Sequence, residues 1–360
     1  MSVSLSHFAA TVHRRGITLE PDGSPLEAGG VLNPGCARGR NGELLLYPRV
    51  VEPGNISRIG LVRATSEGAA FERLGFVLEP EMPYEHRPLG HGGMGCEDPR
   101  VTFVPVLDRF LMAYTAFGPD GPRVAFAHSS DGYAWERIGL ADFATHGLLV
   151  GDDKDAAFFP EPVRSPRGVT SLAFYHRPML IPGEGQIGLR ALMDLPANQR
   201  GCTRIGYVPL DAVQADIANL RTVTESALVL APDGPWGRVK TGAGTPPVRI
   251  AEGWLSLYHG VDAVEVGGRL AMTYCVGLVV HDALEPHHIR YRSAAPILTP
   301  ESERERVGVV GNVVFPTGID RRGERSFDVY YGMADAAIGA ASLELAPALV
   351  SAVRSSDVLA

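Results

Sequence analysis

Cysteine is scarce in this chain: of 360 residues only Cys36, Cys96, Cys202 and Cys275 are cysteine, and no C-x-x-C pair occurs among them. That spacing excludes a zinc knuckle and a disulfide framework and predicts ordinary thiols. A basic surplus is missing too. With a net charge of −8 the chain has no general nucleic-acid surface, so an anionic ligand must meet a local cluster of cations. No apolar run is long enough to span a bilayer, and the opening MSVSLSHFAATVHRRGITLE lacks the continuous apolar core of a secretory signal; the expectation is a cytoplasmic protein without membrane partners. Helical periodicity is rare. Gln214 to Leu220 and the alanine-rich stretch from Ala334 to Val353 offer short helices, although the latter also alternates like a strand.

Turn residues and short β-prone runs fill the rest. The 42 Gly and 28 Pro separate runs such as RVAFAHSSDGYAW and RLAMTYCVGLVVHD, the pattern of antiparallel hairpins, while 45% hydrophobic content excludes a disordered chain. Five of the runs contain a tyrosine followed by polar or charged residues: Tyr47, Tyr114, Tyr175, Tyr258 and Tyr330, at steps of 67, 61, 83 and 72 residues. A recurring unit of about 71 residues marks a repeat architecture. The fold expected is all-β, a five-bladed β-propeller over residues 1–345 with its active site at the central channel and a tail at 346–360; a β-sandwich array is the rival. In a ring of this kind the residues beside the tyrosines, Arg49, His176, Arg177 and His259, become neighbours.

Several segments carry chemistry. In HGGMGCEDPR, flexible glycines lead to Glu97, Asp98, Pro99 and Arg100. A proline disfavours helical geometry in the residue before it, so Asp98 is expected to be extended, with Glu97 on the opposite face. Asp98 is a candidate proton donor, provided burial or a neighbouring carboxylate raises its pKa; the alternative is a turn in which it pairs with Arg100. DDKDAAFFPEPV sets Lys154, Asp155 and Glu161 around a buried run, charges that face a pocket or cap a strand. In FYHRPM the guanidinium of Arg177 can fork onto phosphate or carboxylate oxygens. WGRVKTGAGTPPVRIAEGWLSLYHGVD joins Lys240 to His259 through a glycine-rich turn that does not match a P-loop.

Taken together these segments resemble glycoside hydrolase family 130, five-bladed propellers acting on β-mannosides that include inverting phosphorylases and some hydrolases. The resemblance rests on VLNPGCAR, LLLYPRV, GCEDPRV, KDAAFFPE, YHRP, KTGAGTPPV, GWLSLYHGV, VVGNVVFPTG with Asn312, and YYGMAD, in family order from about residue 30 to 340. It implies that Asp98 is the catalytic acid, acting through a mannose hydroxyl. It also implies that Arg177, Lys240, His259 and Lys154 bind phosphate, and that Asn33, Arg49 and Asp335 contact sugar. Glu97, Asp155 and His176 join them as substrate-binding candidates, and Arg123 and Tyr274 as further additions.

Phosphate or water is then the question. An inverting hydrolase needs a second carboxylate to activate water, about 6.5 to 9.5 Å from the acid, and Asp155 or Glu161 is the candidate. A phosphorylase needs cations instead, because phosphate arrives already nucleophilic. Lys240, Arg177 and His259 in an acidic chain favour phosphorolysis, with no cofactor beyond inorganic phosphate as co-substrate. Within the family resemblance, the G-C-E-D-P-R and K-D-A-A-F-F-P-E variants look more like members acting on β-1,2-linked mannosides than those of the β-1,4-mannosylglucose type. A sugar-binding propeller without catalysis is the rival from another class.

Overall fold

A computed structural model describes residues 10–65, 70–88, 92–148, 151–179, 188–267 and 269–346. His91 of the HGGMGC segment and the 347–360 part of the tail lie outside them. Among the described residues strands dominate, in five antiparallel groups that follow the chain, each of four strands, with the short Val163–Arg164 and Val248–Ile250 added to the third and fourth. Sheet one holds Gly30–Arg38, Leu44–Glu52, Ile56–Ala64 and Phe71–Leu78; sheet two holds Met94–Val104, Arg109–Gly118, Gly121–Ser129 and Glu136–Leu140. A short parallel pairing of Ile56 and Ser57 with Met94 and Gly95 joins these two into one eight-stranded sheet. Sheet three holds Asp153–Phe158, Thr170–Pro178, Thr203–Pro209 and Glu225–Leu230. Sheet four holds Lys240–Ala243, Gly253–Val266, Arg269–His281 and Ile289–Arg292. Sheet five is Val314–Arg321, Ser326–Met333 and Ala337–Leu345, completed by the early strand Ala10–Leu19. The stretch from Ala334 is therefore a turn and a strand, while Leu210–Ala215 and Ile217–Arg221 are short helical turns.

The first strand of each group lies innermost. Gly30–Arg38 packs against both Val314–Arg321 and Met94–Val104, Asp153–Phe158 against Met94–Val104 and Lys240–Ala243, and the long hairpin of sheet four against Val314–Arg321. The apolar residues follow the same cycle. Leu45, Ile59 and Leu61 meet Phe110 and Met112 between sheets one and two; Phe126 meets Phe158 and Phe174 between two and three. Tyr175 and Tyr207 meet Trp254 and Tyr258 between three and four, Leu257 and Leu278 meet Val314 and Val329 between four and five, and Val31 and Leu46 meet Ile338 and Ala340 between five and one. Each strand alternates, so it feeds the clusters on its two faces in turn.

All five repeated tyrosines occupy the second strand of their sheet and are buried. They serve the core rather than the cavity: the Tyr47 hydroxyl donates to the Gly132 carbonyl at 2.9 Å, and that of Tyr114 to Glu85 at 2.7 Å. The residue two places on, Arg49 or Arg177, is the one that reaches the centre.

The inner strands share a second repeat. Register breaks between Leu32 and Gly35, Glu97 and Arg100, and Lys154 and Ala157, and at each break Asn33, Asp98 or Asp155 takes a left-handed backbone with φ of 44°, 48° and 60°. Asp98 is thus not extended as the following proline suggests. Asparagine and aspartate tolerate this conformation best among non-glycine residues, and a bulge re-aims the side chain it carries. Strict alternation is broken, so Glu97 and Asp98 both reach Arg49 instead of facing apart.

Candidate functional site

Because the bulges in three of the inner strands each turn a polar side chain toward the centre, distant positions converge. One cavity is lined by Asn33, Arg49, Asp98, Lys154, Asp155, Arg177, Lys240, His259, Tyr274, Val310, Val313, Phe315 and Asp335. A larger cavity of about 550 Å³ opens at the other end of the inner strands, but among the described residues its lining, Arg38, Arg40, Phe103, Pro160, Pro246, Pro247, Arg249 and Arg321 with their neighbours, holds no carboxylate or histidine. Chemistry, not size, selects the first.

Asp98 is anchored twice. Its Oδ1 accepts from Asn33 Nδ2 at 2.8 Å and from Arg49 Nη1 at 3.2 Å, while Glu97 holds the other arm of Arg49 at 2.8 Å. Burial alone would raise the Asp98 pKa, but Arg49, Arg100, Lys154 and the Asn33 bond outweigh it and hold the carboxyl below the usual range. Arg100 does not pair with the Asp98 carboxylate. Fully buried, it donates to the main-chain carbonyls of Asp98, Gly244 and Ala243, tying sheet two to sheet four.

Asp155 faces the cations. Arg177 Nε donates to its Oδ2 at 2.5 Å, His259 Nε2 stands 3.5 Å from the same oxygen, and Arg100 lies 3.8 Å from Oδ1. Against the burial penalty, Arg177, His259, Arg100 and Lys154 depress the Asp155 pKa. A carboxylate so engaged is a poor base. Gly242 makes the cluster possible, because a Cβ there would come within 2.3 Å of Asp155 Oδ2 and of the His259 ring. Lys240 Nζ lies 5.6 Å from the Tyr274 ring centroid.

His259 corrects one expectation. Burial, helped by Arg177, Arg100 and Lys240 and opposed by Asp155, pushes its pKa down to about 3, so the ring is neutral at physiological pH and adds polarity rather than charge. It packs on Phe315 at 4.5 Å between centroids.

Asp335 is the opposite case. It sits in the turn between the second and third strands of sheet five, half-buried, and burial together with Asp98 and Glu97 raises its pKa to about 6 against the pull of Arg49 and Lys154.

Other candidates fall elsewhere. His176 is buried behind the site, bonded to Asp153 at 2.7 Å and Ser226 at 2.9 Å, because its side chain points to the strand face opposite Arg177. Glu97 supports Arg49 without lining the cavity, and Glu161 is exposed outside it. Arg123 donates to the Gly151 carbonyl beside another cleft, and Asn312 contributes its main-chain carbonyl to Tyr274 N at 2.9 Å. Arg100 was considered in the sequence only as a partner of Asp98, and Phe315 was not singled out; the D-P-R and V-F-P strings were the available signals, but neither shows which neighbour it will meet.

The family model described as beta-1,4-mannooligosaccharide phosphorylase matches residues 217–350. A 1,2-beta-oligomannan phosphorylase of Thermoanaerobacter sp. (strain X514) is 28% identical over 295 residues, 81% of this chain and 79% of that protein. A beta-1,4-mannooligosaccharide phosphorylase of Ruminococcus albus is 36% identical over 139 residues, 38% of this chain and 40% of that one. The solved beta-1,2-mannobiose phosphorylase of Listeria innocua, in complex with beta-1,2-mannobiose, has the same fold, with a TM-score of 0.71 at 22% identity over 96% of this chain and 99% of that one. The chain is thus similar, by sequence over most of its length and by fold, to mannoside phosphorylases of the kind grouped in glycoside hydrolase family 130.

Proposed function

We propose that the protein catalyses inverting phosphorolysis of β-mannosides, with β-1,2-linked mannobiose or oligomannoside as substrate and α-mannose 1-phosphate as product. The observation that carries this reading is the convergence of Arg177, Lys240 and Lys154 on the cavity that holds Asp98, with neutral His259 beside them. Phosphate needs fixed positive charge in line with the anomeric carbon, and charge held among buried side chains counts for more than in water. Asp98 supplies the acid function, Asn33 and Arg49 orient it, and Asp335 contacts the sugar. The relatives named for β-1,2-oligomannan and β-1,2-mannobiose support the linkage.

Hydrolysis would need a base. Asp155 is committed to Arg177 and Glu161 lies outside the cavity, which weighs against both candidates. The reading includes a five-bladed propeller across residues 1–345, supported by the cyclic packing of the five sheets, with 346–360 as a tail. It also includes a cytoplasmic location and no cofactor other than the phosphate co-substrate. Incubation with β-1,2- and β-1,4-mannobiose, with and without phosphate, tests it: mannose 1-phosphate formed from the β-1,2 disaccharide only when phosphate is present is the expected result. Free mannose released without phosphate would replace phosphorolysis with hydrolysis, and binding without turnover would leave a sugar-binding propeller.

A further inference from the structure

Of the three carboxyls lining the cavity, Asp98, Asp155 and Asp335, the last is neither anchored like Asp98 nor paired like Asp155, and phosphorolysis as described so far gives it no part in proton transfer. Among the described residues Asp335 makes no hydrogen bond or ion pair, although it lines the cavity with Asp98 and Arg49. Its position is imposed. Ala334 and Asp335 both have left-handed backbones, with φ of 46° and 51°, a conformation that costs alanine about 1–2 kcal/mol. The turn is clamped by Ala334 N to Val313 O at 3.1 Å, Val310 N to Ala334 O at 3.2 Å and Val31 N to Ala336 O at 3.3 Å. Gly308 and Gly30 press against it, since a Cβ would come within 2.2 Å of Ala334 O and 2.9 Å of Asp335 O. Strain spent on holding a carboxyl without a partner in a reaction cavity points to a use for that carboxyl.

We propose that Asp335, rather than Asp98, carries in the resting enzyme the proton that the departing glycosidic oxygen receives. This rests on the phosphorolysis reading. Asp98 accepts from Asn33 and Arg49, an arrangement that stabilises its ionised form, whereas among the described residues no hydrogen-bond donor reaches Asp335, whose charge Arg49 and Lys154 favour only through space. The charged groups facing Asp335 are Arg49 of sheet one, Glu97 and Asp98 of sheet two and Lys154 of sheet three. Two carboxyls beside one arginine divide their ionisation, and the one without hydrogen-bond donors keeps the proton. The raised Asp335 pKa of about 6 agrees.

The step balances. An oxygen of hydrogen phosphate dianion bonds to the anomeric carbon, and the bond from that carbon to the leaving oxygen breaks with its electron pair going to oxygen. That oxygen takes the Asp335 proton by way of Asp98, leaving the Asp335 carboxylate and a singly charged phosphate monoester. The ester still bears one proton, with a second pKa of about 6 for monoesters of this kind. Returning that proton to Asp335 resets the site without net exchange with solvent.

The test compares wild type with Asp335→Asn and Asp335→Glu, reading kcat/KM for the mannoside against pH at fixed phosphate. The ionisation of phosphate is common to all three and cancels in the ratios. Asparagine is expected to lower kcat/KM about 10²–10⁴-fold and to abolish an alkaline limb near pH 6, while glutamate keeps the limb at a shifted position. An unmoved limb in both variants overturns the proposal. Should the asparagine variant be inactive, the carbon-13 carboxyl titration of wild type, assigned by the signal lost in that variant, decides. A midpoint near 6 that falls in Asp98→Asn supports the proposal, and a midpoint below about 4.5 overturns it. Wild type that makes no mannose 1-phosphate refutes the phosphorolysis reading instead, and the carboxyl titration separates the two failures.

Discussion

The two halves of the cavity hold their carboxylates in opposite ways. On the side of sheets three and four, Asp155 is enclosed by Arg177, His259 and Arg100 and serves as ballast for a cationic cluster. On the side of sheets one, two and five, Arg49 is shared among Glu97, Asp98 and Asp335, so negative charge is in excess there. On the reading proposed above, one half receives the anion and the other handles the proton. The same residue type, at the same kind of bulge in Asp98 and Asp155, differs in role because its neighbours differ.

The contrast can be broken from either side. Asp98→Asn should have the largest effect, a loss of about 10²–10⁴-fold in kcat with mannoside binding retained, read by steady-state turnover beside calorimetric titration. Unchanged turnover would remove Asp98 from the chemistry. Arg177→Ala leaves Asp155 charged and buried; we expect about 3–5 kcal/mol lost in denaturant unfolding together with a weaker response to phosphate. Lys240→Ala should raise KM for phosphate by about ten- to a hundredfold and leave KM for the mannoside in place, since one charge-assisted hydrogen bond is worth about 1.5–3 kcal/mol. Equal shifts in both constants would show that the halves are not separate.

A smaller effect separates the two carboxylates by pH. The folded pKa of Asp335 is raised from 3.8 to about 6, so the native state binds the extra proton between those values and stability falls as pH rises through them. Asp155, depressed below 3.8, adds stability above that value, which is lost on acidification. Asp335→Asn should therefore melt higher than wild type at pH 8 and converge with it near pH 4, a difference of order 1 kcal/mol after screening in the open cavity. Parallel melting curves at both pH values would mean that the carboxyl is not held against its charge.

The tyrosine spacing indicated where the second strand of each sheet lies, and with it the positions of Arg49 and Arg177, because core aromatics recur wherever the same sheet interface recurs. It did not separate His176 from Arg177. In a strand neighbouring side chains face opposite sides, and which side meets the centre depends on register. Asp98 was recognisable from its string but not its conformation: the proline argument gave an extended residue, and the bulge against Ala113 and Thr115 made it left-handed. His259 was counted as a cation because its type allows it, and only burial beside Arg177, Arg100 and Lys240 reveals it as neutral.

By itself the chain order determined the repeat, the strand-rich character and the set of polar residues available to a mannoside and an anion, since these follow from local periodicity and composition. Only tertiary structure decided what each of them does. Charge state and reach depend on which groups the fold brings together, and here the neighbours Arg49 to Asp98, Arg177 to Asp155 and Asp98 to Asp335 come from 49, 22 and 237 positions away along the chain.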